Sequence, residues 1–135
     1  MNAGSLGQPE QFMQPRISPD GDRVIFIRPD DNGGNRDVWL LETGRGIAAR
    51  LTKNPANEWQ PTWSPDGRRI LFSSDRGGHR VGSAWEKISM DPGAGEMPVE
   101  GLPDWANPED WSADGKWIAF ANGASHGDVK AFLMR

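Results

Sequence analysis

Apolar residues fall in short bursts separated by turn clusters, and no 12-residue window carries a helical period free of Gly and Pro. Val24-Ile25-Phe26, Ile70-Leu71-Phe72 and Ile118-Ala119-Phe120 are continuous apolar runs after a polar turn, the pattern of a strand buried on both faces. Asp37–Leu41, Ser83–Ile88 and Asp128–Met134 predict a further strand after each run. Gly46–Thr52 and a weaker stretch around Glu96–Val99 predict another. The chain reads as all-β.

One block recurs three times. Gln14-Pro15-Arg16-Ile17-Ser18-Pro19-Asp20-Gly21 matches Gln60-Pro61-Thr62-Trp63-Ser64-Pro65-Asp66-Gly67. A looser copy runs Pro108-Glu109-Asp110-Trp111-Ser112-Ala113-Asp114-Gly115. Their glycines stand 46 and 48 residues apart. A second landmark keeps step: Trp39 follows Phe26 by 13 residues, Trp85 follows Phe72 by 13, and Phe132 follows Phe120 by 12. In each block Pro presets φ, Asp can accept from nearby backbone N–H groups, and Gly takes the positive φ that re-enters the ladder. Four antiparallel strands in a unit of about 46 residues make the blade of a β-propeller. The predicted division is an N-terminal segment 1–13, blade one 14–59, blade two 60–106 and an incomplete blade three 107–135. Ser5–Phe12 is a candidate for the outer strand that blade three lacks.

The string from Pro61 to Gly78, Pro-x-Trp-Ser-Pro-Asp-Gly-x-x-Ile-x-Phe-x-Ser-x-Arg-Gly-Gly, resembles the WD40-like Pro-Asp (PD40) repeat of TolB-type propellers. Similar repeats occur in propellers of prolyl-oligopeptidase-like proteins and in sensor regions of bacterial serine/threonine kinases. The resemblance covers about residues 8 to 135 and departs from the pattern at Ala113 and along the strand near 82–90. It implies a bacterial protein that acts as a non-enzymatic scaffold holding a peptide or protein. Its alternative is an accessory propeller that gates or senses ligand for a hydrolase or kinase.

Closed propellers have roughly four to eight blades. Three blades leave two apolar faces and a ladder edge to be covered. The expectation is a homodimer of three-bladed halves, blade three of one copy against blade one of the next, making a six-bladed ring.

Composition narrows the function classes. Gly (17) and Pro (11) make up about a fifth of the 135 residues, as many short elements require. The net charge of −4 argues against nucleic acid as a partner. Cysteine is absent, which removes disulfides and thiolate chemistry. No apolar run approaches a membrane span, and the first residues lack a secretory pattern. A full-length chain is then expected in the cytoplasm, and one excised from a larger TolB-like or sensor protein outside it.

Chemical candidates are few. Gly123-Ala124-Ser125-His126-Gly127 spells a nucleophile elbow, but that motif needs a following helix and a later His, and neither is in the sequence. No catalytic residue and no cofactor is predicted. His79 and His126 sit in equivalent loops, where exposed histidines explain them better than a metal site does. Asp30–Asp37 fails calcium-loop spacing at Gly34 and reads as turn chemistry. Most of the seven Trp are expected to pack between blades. Trp59 and Trp105 are the exceptions, taken to occupy equivalent lead-in connections at the channel mouth. With Arg76 and Arg80, and the two histidines beside them, they form the predicted recognition rim.

Overall fold

The structure is a computed structural model, and it describes residues 12–32, 34–78, 83–88, 91, 93–103, 106–122 and 129–133. Eleven strands make up the described secondary structure. β1 (Met13–Ile17), β2 (Arg23–Pro29), β3 (Arg36–Glu42) and β4 (Ile47–Arg50) form one antiparallel sheet in that order. β5 (Glu58–Trp63), β6 (Arg69–Ser74), β7 (Ser83–Ile88) and β8 (Met97–Pro98) form the second. β9 (Ala106–Trp111), β10 (Trp117–Asn122) and β11 (Val129–Leu133) form the third. The all-β reading holds, with three sheets as successive propeller blades.

Each repeated block folds into one turn, built three times from the same bonds. The Ser hydroxyl donates to the Asp two residues on, at 2.5 Å for Ser18–Asp20, 2.6 Å for Ser64–Asp66 and 2.7 Å for Ser112–Asp114. That hydroxyl also accepts from the backbone N–H of Arg23, Arg69 or Trp117. The Asp carboxylate accepts the N–H of Asp22, Arg68 or Lys116. Gly21, Gly67 and Gly115 close the turn at φ of 80°, 67° and 74°, where a side chain would be strained. Ala113 leaves this network intact, so the Pro of the other copies presets the turn without being required for it.

Burial follows the strand pattern. Ile25, Ile27, Val38, Leu40, Leu51, Trp63, Ile70 and Phe72 form the core between the first two sheets. Leu71, Ala84, Ala106, Trp111, Ile118 and Phe120 form the core between the second and third. The middle sheet therefore gives its two faces to two different cores. β5 contacts β1 on one side and β9 on the other, so the first strands line up where the sheets converge.

The register corrects one expectation. Phe26 pairs with Trp39 and Phe72 with Trp85, but Phe120 pairs with Lys130, and Phe132 lies opposite Ile118. The third hairpin is shorter, so Phe132 is not the counterpart of the two tryptophans. The tryptophans differ in burial. Trp63 and Trp111 are buried, Trp39 and Trp85 are half-buried, and Trp117 is 47% exposed.

The proposed outer strand, Ser5–Phe12, lies outside the described residues except for Phe12. Its ring meets Phe26 edge-on with centroids 4.4 Å apart.

Candidate functional site

The connections entering β5 and the loops after β2 and β6 share one end of the sheets, the loop end. The three Ser-x-Asp-Gly turns mark the opposite, turn end. The first strands run between them.

At the loop end the charged side chains are engaged with one another. Arg76 is only 11% exposed. It donates to Glu58 at 2.5 Å, to Glu96 at 2.8 Å and to Ser74 at 2.9 Å, and its guanidinium lies 4.0 Å from the centre of the Trp85 ring. Its charge is thus balanced inside the chain rather than offered at a rim. Glu58 is fully buried, and burial pushes its carboxyl up to about 7 against the opposing pull of Thr52 and Arg76. Among the described residues, its buried Oε2 has no hydrogen-bond partner. Asp37 is also buried, and desolvation raises its carboxyl although Arg50 lies 2.9 Å away.

Asn57 clasps the first two blades here. Its side chain accepts from the Arg36 backbone N–H at 3.2 Å and donates to Asp75 at 3.0 Å.

Trp59 is half-buried within β5, opposite Ser73. The corresponding pair in the third sheet is Asn107 and Ala121. Counting along the chain, Trp105 therefore matches Asn57, and the two tryptophans are offset by two positions. Trp105, Arg80, His79 and His126 lie outside the described residues, as does the Gly123–Gly127 stretch. In the acidic loop, Asp30 accepts from the N–H groups of Asn32 and Gly34, and Asp31 pairs with Arg28 at 2.9 Å. Those are turn bonds. Among the described residues, no three His, Cys, Asp or Glu side chains are grouped to hold a metal ion.

Midway along the first strands lies a feature that was not foreseen as a site. Gln14 and Gln60, at matching positions before a proline, have φ of 51° and 50°. Such a backbone costs a non-glycine residue about 1–3 kcal/mol and persists only where its surroundings enforce it. Both sit at irregularities in strand pairing, and β9 carries its own between Asp110 and Pro108. The Gln60 N–H donates to the Gln14 side chain at 2.7 Å, and the Gln60 amide donates to Glu109 at 2.7 Å. A polar chain thus crosses three blades. The repeated Gln-Pro dipeptide was its signal in the sequence.

Toward the turn end this line opens into a cleft of about 410 Å³, lined by Arg16, Ile17, Trp63, Glu109, Asp110 and Trp111 among others. The cleft combines indole and aliphatic surface with both signs of charge.

The comparisons fit this architecture. The chain is 40% identical over 109 residues to the uncharacterized peptidase YuxL of Bacillus subtilis, covering 77% of this chain and 16% of that protein. It is 38% identical over 68 residues to the Tol-Pal system protein TolB of Nitratidesulfovibrio vulgaris, covering 49% of this chain and 15% of that one. It thus spans about a sixth of the length of these relatives.

Among solved structures, a putative TolB from Agrobacterium tumefaciens superposes with a TM-score of 0.70 at 22% identity, over 96% of this chain and 47% of the other. TolB from Acinetobacter baumannii gives 0.68 at 24%, over 87% and 28%. At these identities the likeness is one of fold. The family profile described as the TolB beta propeller domain, PD40, matches residues 7–134. With its three turns, its paired cores and that match, the chain belongs to the TolB β-propeller domain family.

Proposed function

We propose that this propeller domain binds an extended peptide or protein segment along its first strands and performs no chemistry of its own, with its ring closed by self-assembly. The observation that carries the reading is the strained pair Gln14 and Gln60, tied through Glu109 into one polar line beside an aromatic cleft. Strain repeated at matching positions is what pre-organised binding surfaces hold in store. Trp59 stands at the loop end of the same strand and supplies a half-buried aromatic contact. Binding contacts are also proposed for Arg80, Trp105, His79 and His126, whereas Arg76 fixes Glu58 and Trp85 in place.

Panning a phage-displayed random-peptide library against the chain tests this. Selected peptides should lose about tenfold or more in affinity, at least 1.4 kcal/mol, with Trp59→Ala or Gln60→Ala. Dipeptidyl aminocoumarin substrates should stay intact. Binding indifferent to both substitutions would overturn the site, and release of coumarin by the purified chain would overturn the non-catalytic assignment.

A second reading rests on the 40% identity to YuxL, whose name marks it as a peptidase. In it the propeller serves as the accessory domain of a hydrolase and controls access to a separate active site. Genomic sequence downstream of the Arg135 codon separates the two. Continuation into a catalytic domain supports the accessory role, and a stop codon supports the scaffold.

A further inference from the structure

The cleft at the turn end takes its lining from all three blades, with Thr62, Trp63 and Pro65 of the middle one between Arg16 and the pair Glu109 and Asp110. Both of its walls therefore belong to this chain. The blades meet there with equivalent residues of different charge. Two positions before the turn Ser stand Arg16 in the first blade, Thr62 in the second and Asp110 in the third. Across the cleft the charge runs from positive through neutral to negative. One position earlier, the third blade has Glu109 where the other two have Pro15 and Pro61.

Neighbouring residues of a regular strand point to opposite faces. Glu109 and Asp110 nevertheless line one cleft, because β9 slips its register between them and their partners. Asp110 pairs with Ala119 and Pro108 with Phe120, which leaves Glu109 as the extra residue of a bulge. The Gln60 amide then holds one Glu109 oxygen at 2.7 Å, so the polar line ends in an oriented carboxylate. Asp110 accepts the N–H of Trp111, and Arg16 donates to the carbonyl of Pro15. Among the described residues no ion pair reaches any of the three charges. The two indoles spend their N–H groups inside the chain, Trp63 on the Arg16 carbonyl and Trp111 on that of Gly115. What they add to the cleft is ring surface.

We propose that this cleft takes a peptide segment carrying both signs of charge, its basic side chain on Glu109 and Asp110 and its acidic side chain on Arg16. This rests on the peptide-binding reading above and names the sequence chemistry that the site selects. Charge complementarity carries it. A segment of one sign gains at one wall and is repelled at the other, and a neutral one leaves both walls unanswered.

The experiment pans a phage-displayed random heptapeptide library against three proteins: the wild type, Arg16→Gln, and the double variant Glu109→Gln with Asp110→Asn. The new amides keep an oxygen to accept from Gln60 and from the Trp111 N–H, so charge is removed and the bonds remain. Unchanged urea midpoints verify folding. Wild-type selections should be enriched in Lys or Arg together with Asp or Glu at a fixed spacing. The double variant should lose the basic enrichment and keep the acidic one, and Arg16→Gln should do the reverse. A synthetic wild-type-selected peptide should bind about fivefold more weakly to either variant, the scale of an exposed ion pair.

Peptides of the same charge composition from all three proteins would overturn the charge selection. If those peptides still lost affinity with Trp59→Ala, the peptide-binding reading would stand without it. A library that yields no binder to the wild type would overturn both.

Discussion

Glu58 sets the sharpest expectation for a single residue. Its folded pKa of about 7 lies above the ordinary glutamate value of 4.5, so between those limits the folded state holds a proton that the unfolded chain has released. Stability contributed in this way is fully present below about 4.5 and lost as pH rises through 7. The window spans roughly two and a half pKa units, or at most about 3 kcal/mol. Urea midpoints should therefore fall from pH 5 to pH 8. Glu58→Gln, which holds the protonated shape at every pH, should flatten much of that slope. Some slope should remain, because burial raises Asp37 in the same direction. The turn carboxylates do not blur the result. Asp20, Asp66 and Asp114 are lowered first of all by their serine hydroxyls, so their contribution is lost only as pH falls below the ordinary value of 3.8. A slope unchanged in the Gln variant would show that Glu58 is ionised throughout.

Among the elements, the turn is the one most completely readable in advance, because its bonds are local. Ser, Asp and Gly find their partners within five residues, whatever lies beyond. Ser64 is buried, and Ser64→Ala strips the Arg69 N–H of its side-chain acceptor and Asp66 of one of its two donors, leaving the Arg68 N–H. The cost should be about 1–3 kcal/mol by urea denaturation. Ala113→Pro runs the other way. Two sister turns already carry Pro there, so the substitution should stabilise by about 0.4–1 kcal/mol through the unfolded chain. A loss of stability would mean that the third turn differs in backbone despite its matching bonds.

What spacing did not reveal depends on lengths and neighbours instead. Phe132 falls out of phase because the third hairpin is shorter, and Trp105 matches Asn57 because the lead-in segment differs in length. Glu58 reads as an ordinary polar residue in a connection, and its full burial beside Arg76 shows only in the folded chain. Likewise Gln14 and Gln60 were visible as a repeated dipeptide, while their positive φ comes from the irregular pairing of strands that meet side by side.

In the whole molecule, the order of the sheets dictates how it comes apart. Repeat assemblies gain stability from each unit and from its contacts with immediate neighbours. The middle sheet supplies Trp63, Ile70 and Phe72 to one core and Leu71 and Ala84 to the other. In a single copy, below the concentration of self-association, it can lose its order only when both junctions open, whereas each flanking sheet takes part in one of these two. Amide exchange should accordingly be slowest in β6, faster in β2 and β10, the central strands of the flanking sheets. Phe72 is fully buried at the first junction, and Phe72→Ala should cost about 3–5 kcal/mol. More tellingly, it should let the amides of β2 exchange far faster while those of β10, across the intact second junction, change less. If β2 outlasted β6, or if Phe72→Ala exposed β10 as much as β2, stability would be pooled across the chain rather than carried junction by junction.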